Sequence, residues 1–369
     1  MGKAFRYSSP PPSGELEGAE ATRVRPLMFN LQTIIRKNIL ALKPYSSARD
    51  EYKGDEGIFL DANENPFGEL NRYPDPYQKK LKEKIRSIKN IATENIFVGN
   101  GSDEVIDIAY RTFCEPGKDN ALTFSPTYGM YDVSAAINNV ELIKIPLTAD
   151  FQIDFDAVEK YLANDNLKLI FICSPNNPTA NNILNVEKIL EKFKGIVFID
   201  EAYIDFSNVV SYVPKVNTYP NLIVSQTFSK AWGLAATRVG TAFASKEIIS
   251  FYNKVKPPYN VSLLNQNAVI DALENIELYE ERKKTILQQR QILLDSFAII
   301  KIIEKIYPTD ANFILIQVAD ADTVYNNLVD EKVITRNRNS VIKNCIRITV
   351  GSEEENKILI EKLKNFNTK

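Results

Sequence analysis

The chain has 369 residues and a net charge of −2, from 45 lysines and arginines against 47 aspartates and glutamates. Its length favours two domains, and its 44% apolar residues are enough to build a sizeable core. The balanced charge, without a long basic run, argues against nucleic acid as a main partner.

Histidine is absent from the sequence. Its absence excludes Ser-His-Asp and Cys-His nucleophile systems, histidine zinc sites and every histidine general base. If the protein is an enzyme, its proton carrier is therefore Lys, Tyr, Asp, Glu or Cys, or a cofactor performs the hard chemistry.

Cys114, Cys173 and Cys345 lie far apart and without Cys-x-x-Cys spacing. That pattern argues against a disulfide framework and against a zinc site, so we expect no metal and a reducing, cytoplasmic environment. No apolar run reaches the roughly 20 residues of a membrane helix, and the N-terminus lacks the apolar core of a signal peptide. We therefore expect no membrane partner.

Residues 1–27 contain three consecutive prolines and no apolar periodicity, which predicts a disordered extension or a remnant of expression. For residues 28–58 we expect an N-terminal arm that packs on a small domain and on a partner subunit. From residue 59, short β-branched runs alternate with amphipathic stretches. The predicted strands are 96–98, 121–124, 167–173, 196–199, 222–225 and 239–244.

These apolar runs are nearly continuous, which indicates strands buried on both faces and a mostly parallel α/β sheet. We assign them to a large domain over 59–258. Around Lys256-Pro257-Pro258 the pattern changes to a long helical stretch at 262–297. Strands at 313–318 and 345–350 and a closing helix at 353–365 then predict a smaller α+β domain over 259–369.

Polar residues follow the predicted strands at their carboxyl ends, where open α/β sheets bind ligands. Any one such end is a weak signal, because an Asp after a strand is usually a helix cap. The Gly-rich turn at 99–104 is neither a dinucleotide fingerprint nor a P-loop. Five polar ends in one sheet nevertheless favour a binding crevice. They are 99–104, 126–128, 174–179, 200–203 and 227–230.

At these positions, and at 60–66, 72–76 and 346–351, the chain resembles the fold-type-I aminotransferases. Within that group it is most similar to the histidinol-phosphate aminotransferase family, in order over roughly residues 30–369. The resemblance implies the cofactor pyridoxal 5'-phosphate. Such an ordered set of motifs is specific for fold and cofactor and less specific for substrate.

By this resemblance, Lys230 holds the cofactor covalently and later moves the substrate's Cα proton. Asp200 pairs with the ring nitrogen and keeps it protonated, while Asn177 and Tyr203 bond to the phenolic oxygen. Tyr128 stacks on the ring face. We expect Lys230, Asp200 and Tyr203 to be the catalytic residues.

The cofactor phosphate, by the same resemblance, lies at a helix N-terminus and is neutralised by a bidentate arginine. The residues implied are Ser102, Asp103, Thr227, Ser229 and Arg238. Tyr73 is expected to reach the phosphate from the neighbouring subunit, which implies a homodimer with shared active sites.

For the substrate, Arg347 resembles the arginine that binds an α-carboxylate, and Arg336 resembles a second anion-binding arginine. Arg338 is a less favoured substitute for Arg336. In the family both arginines, with Tyr45 and Asn177, hold a substrate phosphate and alternately the carboxylates of glutamate. The implied reaction converts histidinol phosphate and 2-oxoglutarate into imidazole-acetol phosphate and glutamate.

The chain departs from the family pattern near the crevice. Ala180 follows Asn177-Pro178-Thr179 where a glycine is typical, and a backbone with positive φ there would cost alanine about 1 kcal/mol. Ala236-Thr237 and Thr241 differ near the phosphate site. None of these changes removes a reacting group.

Two other functions stay open at this point. An aromatic amino acid transaminase or a threonine-phosphate-type decarboxylase would share Lys230, Asp200, Asn177 and Arg238, because specificity depends on the groups over the bond that breaks. A non-catalytic transcriptional regulator is disfavoured, because residues 1–27 contain no basic recognition helix.

Overall fold

The computed structural model describes residues 29–44, 52 and 57–366. The extension predicted for 1–27 lies outside the described residues, as do 45–51 and 53–56 of the expected arm. In the described part, no helix combines the length and the apolar character needed to cross a membrane.

A seven-stranded sheet forms the larger part of the fold. Its strand order is β1-β7-β6-β5-β4-β2-β3. Strands β6, β5, β4, β2 and β3 run parallel, and β7 runs antiparallel to both β1 and β6. The strands are β1 Ile96–Asn100, β2 Asn120–Ser125, β3 Glu141–Pro146, β4 Leu167–Cys173, β5 Ile196–Asp200, β6 Leu222–Thr227 and β7 Val239–Ala244. The expected mostly parallel α/β sheet is confirmed.

Helices cover both faces of this sheet. Along β4, Ile170 and Ile172 belong to one hydrophobic cluster, whereas Leu169 and Phe171 belong to the cluster on the opposite face. Burial on both faces explains why the strand sequences are nearly continuous apolar runs. The helices are α1 Leu31–Ile34, α2 Lys37–Ala41, α3 Lys79–Lys89, α4 Gly101–Phe113, α5 Met130–Ile137, α6 Phe155–Glu159, α7 Glu187–Lys192 and α8 Lys246–Val255.

A second sheet is antiparallel, with strand order β10-β11-β9-β8. It has its own core, in which Leu293 and Phe297 of a long helix pack against Ile314 and Ile348. Its strands are β8 Ile303–Ile306, β9 Phe313–Val318, β10 Arg336–Asn337 and β11 Cys345–Thr349, and its helices, with the two that precede them, are α9 Leu263–Glu274, α10 Ile276–Phe297, α11 Ala321–Asp330 and α12 Glu353–Lys364. The domain boundary at residue 258 stays a prediction.

One expectation about local structure needs correction. The stretch 262–297 is not one helix, because Asn275 leaves the helical conformation (φ −106°, ψ 52°) between α9 and α10. The packing expected of the whole arm over 28–58 stays a prediction. Its residues 29–44 lie on the side of the large sheet, where Ile34 and Ile39 join the cluster of Phe113 and Tyr252. The Arg36 guanidinium fixes it there by donating to the Arg111 carbonyl at 3.0 Å.

Candidate active site

A crevice opens where the carboxyl ends of three neighbouring parallel strands meet. Cys173 of β4 is the register partner of Asp200 of β5, which in turn pairs with Ser225 of β6. The crevice has a volume of about 480 Å³, part of it open to solvent. Its lining residues are Ser102, Asp103, Tyr128, Cys173, Asn177, Asp200, Ala202, Tyr203, Thr227, Ser229, Lys230 and Arg238.

Lys230 lies three residues beyond the end of β6, in a tight loop. Its carbonyl accepts a bond from the Gly233 N–H at 3.0 Å, and Gly233 has a φ of +68°, which favours glycine. Burial and the nearby Arg347 charge lower the pKa of Lys230, against the opposing effect of Asp200. A lowered pKa leaves more of the amine neutral, the form in which it attacks a carbonyl carbon.

The loop is anchored on the far side of Lys230 by Trp232. Its indole stacks on the ring of Tyr279 in α10, with centroids 3.9 Å apart and planes 17° apart. Phe228 packs against the same indole at 5.6 Å. The loop that presents Lys230 is therefore packed on the helix that also supports the second sheet.

Asp200 lies on the crevice floor and is 2% exposed. Burial raises the pKa of Asp200 to about 6, against the effects of two donors. The Tyr131 hydroxyl donates to Oδ2 at 2.9 Å and the Ala202 N–H donates to Oδ1 at 3.1 Å. A buried carboxylate of this kind is well suited to face a cationic N–H.

A hydrogen-bonded chain connects the second sheet to the crevice. Arg347 of β11 donates through Nη1 to Oδ1 of Asn177, and Asn177 Nδ2 contacts the Tyr203 hydroxyl at 3.1 Å. The Lys230 Nζ lies 5.6 Å from the centre of the Tyr203 ring. These hydrogen bonds link the side chains of Arg347, Asn177 and Tyr203, and the Lys230 amine lies beside the last of them.

The end of the crevice away from Arg347, at the start of helix α4, has the features of an anion-binding site. Helix α4 begins at Gly101, so its first free N–H groups and its positive dipole end lie beside Ser102 and Asp103. A Cβ on Gly240 would lie 2.4 Å from the Ser102 nitrogen, so only glycine lets β7 approach the helix this closely. Arg238, paired with Asp103 at 3.3 Å, adds the positive charge.

The donor set fits pyridoxal phosphate. A buried acid at the floor matches the ring nitrogen, an amine at the wall matches the aldehyde, and an arginine with a helix N-terminus matches the phosphate. Tyr128 lines the crevice and is held by a bond from its hydroxyl to Asp103 at 3.1 Å. Gly101 has a φ of +78°, a backbone conformation that favours glycine at the start of this cradle.

The structure brings eleven of the predicted residues together. Those that line the crevice or bond to it are Ser102, Asp103, Tyr128, Asn177, Asp200, Tyr203, Thr227, Ser229, Lys230, Arg238 and Arg347. Arg336 is the register partner of Arg347 in the second sheet. Tyr73 does not line this crevice; it stacks on Tyr259 with centroids 4.5 Å apart. Tyr45 lies outside the described residues.

Sequence reasoning missed Tyr131, Cys173 and Ala202. Tyr131 lies three residues after the 126–128 segment, and no role followed from that position, because its contact with Asp200 spans 69 positions of sequence. Cys173 was interpreted as a core residue, and it is 4% exposed although it lines the crevice. The signal for Ala202 was its position after Asp200, where a backbone N–H reaches the carboxylate.

Ala180 adopts the left-handed backbone expected of a glycine position, with a φ of 68°. Its side chain is fully buried, and its backbone is held at both ends. The N–H donates to the Asn176 carbonyl at 2.7 Å, and its carbonyl accepts from the Asp310 N–H at 2.8 Å. The loop therefore keeps its conformation in spite of the alanine.

The chain is similar to known aminotransferases over nearly its whole length. The model of the family "Aminotransferase class I and II" matches residues 50–363. A histidinol-phosphate aminotransferase of Cytophaga hutchinsonii is 53% identical over 349 residues, 92% of this chain and 100% of that protein. One of Bacteroides thetaiotaomicron is 50% identical over 92% of this chain and 99% of its own.

Solved structures show the same fold. The histidinol-phosphate aminotransferase of Clostridium acetobutylicum superposes with a TM-score of 0.73 at 23% identity, covering 80% of this chain and 90% of that one. The histidinol-phosphate aminotransferase of Sinorhizobium meliloti was solved in complex with pyridoxal-5'-phosphate. It superposes with a TM-score of 0.72 at 21% identity, covering 82% of this chain and 88% of that one. By the family match and the identity to these relatives, the chain belongs to the histidinol-phosphate aminotransferase family of the class I and II aminotransferases.

Proposed function

We propose that this protein transfers an amino group between histidinol phosphate and 2-oxoglutarate, giving imidazole-acetol phosphate and glutamate in histidine biosynthesis. Support comes from relatives of that name, about half identical over nearly the whole chain. The crevice supplies the second line of support, because its residues have the charges and donors that the reaction needs.

The chain's own residues would hold pyridoxal phosphate at both ends. Asp200 would accept the ring N–H, Tyr128 would cover a ring face, and Arg238 with the start of α4 would bind the phosphate. When bound, the cofactor supplies an aldehyde that carries the amino group and a protonated ring that accepts the electron pair of the Cα–H bond.

Lys230 performs the proton transfer in this proposal. Its Nζ would hold the cofactor covalently until the substrate amine replaces it. The freed amine would then accept the proton from the substrate's Cα and return it on the cofactor's side of the amino nitrogen. Its lowered pKa suits the base role, since a larger fraction of the amine is then neutral and able to accept the proton.

The observation that carries the proposal is the chain from Arg347 through Asn177 to Tyr203. Arg347 can bind an anionic group of the substrate while Asn177 and Tyr203 face the cofactor site. One hydrogen-bonded unit thereby sets the distance between the substrate's anion and the amine of Lys230. Such positioning is worth several orders of magnitude in rate.

We also propose a homodimer with shared active sites, in the cytoplasm. The segment around Tyr73 exposes large apolar side chains, among them Leu60 at 88% and Phe67 at 81%, as expected of a surface that a second copy covers. Tyr73 is half exposed on the outside of its own crevice, which supports its assignment to the neighbouring subunit's phosphate. The three cysteines are free thiols, consistent with a reducing compartment.

A substrate panel on the cofactor-loaded enzyme tests the function. Histidinol phosphate, histidinol, phenylalanine, tyrosine and phosphothreonine are each offered with 2-oxoglutarate, and the cofactor's absorbance, glutamate and CO2 are recorded. We expect the highest kcat/KM with histidinol phosphate and no CO2. Preference for an aromatic amino acid, or release of CO2 from phosphothreonine, would replace this function with one of the two alternatives.

A further inference from the structure

Two arginines of the second sheet, and a third directly after β10, point to one side. Arg336 of β10 lies opposite Arg347 of β11, and the Arg338 N–H continues the pairing by donating to the Cys345 carbonyl at 2.9 Å. Opposite residues of an antiparallel pair share a face, and so do alternate residues of one strand. Arg336, Arg338 and Arg347 therefore project from the same face.

The charges of this cluster are not balanced by the described residues. In the described ranges, no carboxylate forms an ion pair with any of the three arginines within 4.0 Å. The Nε atoms of Arg338 and Arg347 are both shielded from solvent and make no hydrogen bond there. Shielded donors without acceptors are costly, and a bound anion removes that cost.

The pKa of Arg338 is consistent with this geometry. Burial lowers it, and the neighbouring charges of Arg347 and Arg336 lower it further. Together with the strand pairing, this mutual repulsion indicates that the three guanidinium groups lie in one cluster. Because Arg347 is bonded to Asn177 of the crevice, that ligand lies at the substrate end of the active site.

We propose that Arg338 is a third anion-binding residue, which selects a phosphate monoester over a carboxylate. This inference rests on the proposed function and names the part of the substrate that the cluster recognises. A phosphate monoester presents three terminal oxygens and close to two negative charges, whereas a carboxylate presents two oxygens and one charge. Two arginines are enough to bind the two oxygens of a carboxylate. A third arginine has an oxygen of its own to bind only when the ligand is a phosphate.

The test compares substrates that differ by the phosphate alone. In Arg338→Gln, we expect kcat/KM for histidinol phosphate to fall about 10- to 100-fold, mainly through KM, as for the loss of a charge-assisted hydrogen bond. The values for histidinol and for glutamate should fall by much less. Arg338→Lys, which keeps the charge, should recover part of the loss. Lys343→Gln is the matched control, because it removes an exposed charge from the loop between β10 and β11, in which Arg338 also lies.

A binding measurement on the cofactor-loaded enzyme provides a second readout. Inorganic phosphate should raise Tm of the wild type and of Lys343→Gln, and raise it less in Arg338→Gln. The proposal would be overturned if Arg338→Gln lowered kcat/KM equally for histidinol phosphate and for histidinol, and if phosphate raised its Tm as much as that of the wild type. If the wild type does not convert histidinol phosphate, the proposed function fails, and the Tm comparison still decides whether Arg338 binds phosphate.

Discussion

The Tyr131 hydroxyl donates to Oδ2 of Asp200 across 2.9 Å, and both side chains are almost wholly buried. Tyr131 cannot move away easily, because its ring stacks on Phe171 at 5.0 Å and its carbonyl accepts a bond from Tyr110 at 2.9 Å. With the Ala202 N–H on Oδ1, the carboxylate is held at both oxygens. Tyr131 therefore fixes the orientation of the acid on the crevice floor and opposes the rise of its pKa on burial.

Removal of this hydroxyl in Tyr131→Phe should raise the pKa of Asp200 above about 6, since the bond favours the ionised form. We expect kcat to fall roughly 10- to 100-fold, the range for a lost hydrogen bond to a charged group, and cofactor affinity to weaken. Stopped-flow absorbance and cofactor titration measure both. Tyr252→Phe is the control, because its equally buried hydroxyl bonds to the Val105 carbonyl and not to Asp200. Equal effects of both variants would contradict the assignment.

Asp200 makes the stability of the cofactor-free protein depend on pH in a defined direction. Its pKa is about 6 in the folded chain and 3.8 ordinarily, so folding favours the protonated acid. The cost of the buried charge is absent below pH 3.8 and complete above pH 6, where it amounts to about 3 kcal/mol. Urea unfolding between pH 4 and 8 should show this loss in the wild type and not in Asp200→Asn. Parallel pH profiles of the two proteins would refute the assignment.

Lys230 should be indispensable. In Lys230→Ala we expect loss of the covalently held cofactor and a fall in turnover of at least about 10⁴-fold, because the same amine binds the aldehyde and moves the proton. Borohydride reduction followed by peptide mass spectrometry locates the modified residue in the wild type. Lys256→Ala is a comparison at a buried lysine that does not line the crevice. Near-normal turnover of Lys230→Ala would rule out the mechanism.

The left-handed Ala180 gives a prediction about stability. Ala180→Gly removes roughly 1 kcal/mol of backbone strain but gives up a buried methyl group and adds chain entropy in the unfolded state. We expect a change in the free energy of unfolding of less than about 1 kcal/mol. Ala180→Val should lose more than that, since a β-branched residue is disfavoured at this φ. Denaturant titration of both variants measures the difference, and a large loss in the glycine variant would contradict it.

The main strands and the strand-end residues could be predicted from the sequence, because parallel strands buried on both faces consist of nearly continuous apolar residues. Asp200 directly follows such a run and Lys230 lies in the loop after another, so their place at one edge of the sheet followed from the topology. The break at Asn275 could not be predicted, since neither glycine nor proline marks it. The short strand Arg336–Asn337 was missed because two polar residues have no apolar pattern. Tyr131 was missed because only the folded chain brings it to Asp200.

The stacking of Trp232 on Tyr279 gives the protein an internal optical reporter. Trp232 is the chain's single tryptophan, and it stands two residues from Lys230. All indole fluorescence therefore originates beside the active site, within range of energy transfer to a chromophore bound there. Emission from this one ring follows cofactor loading and exchange in the unlabelled enzyme, without an engineered dye.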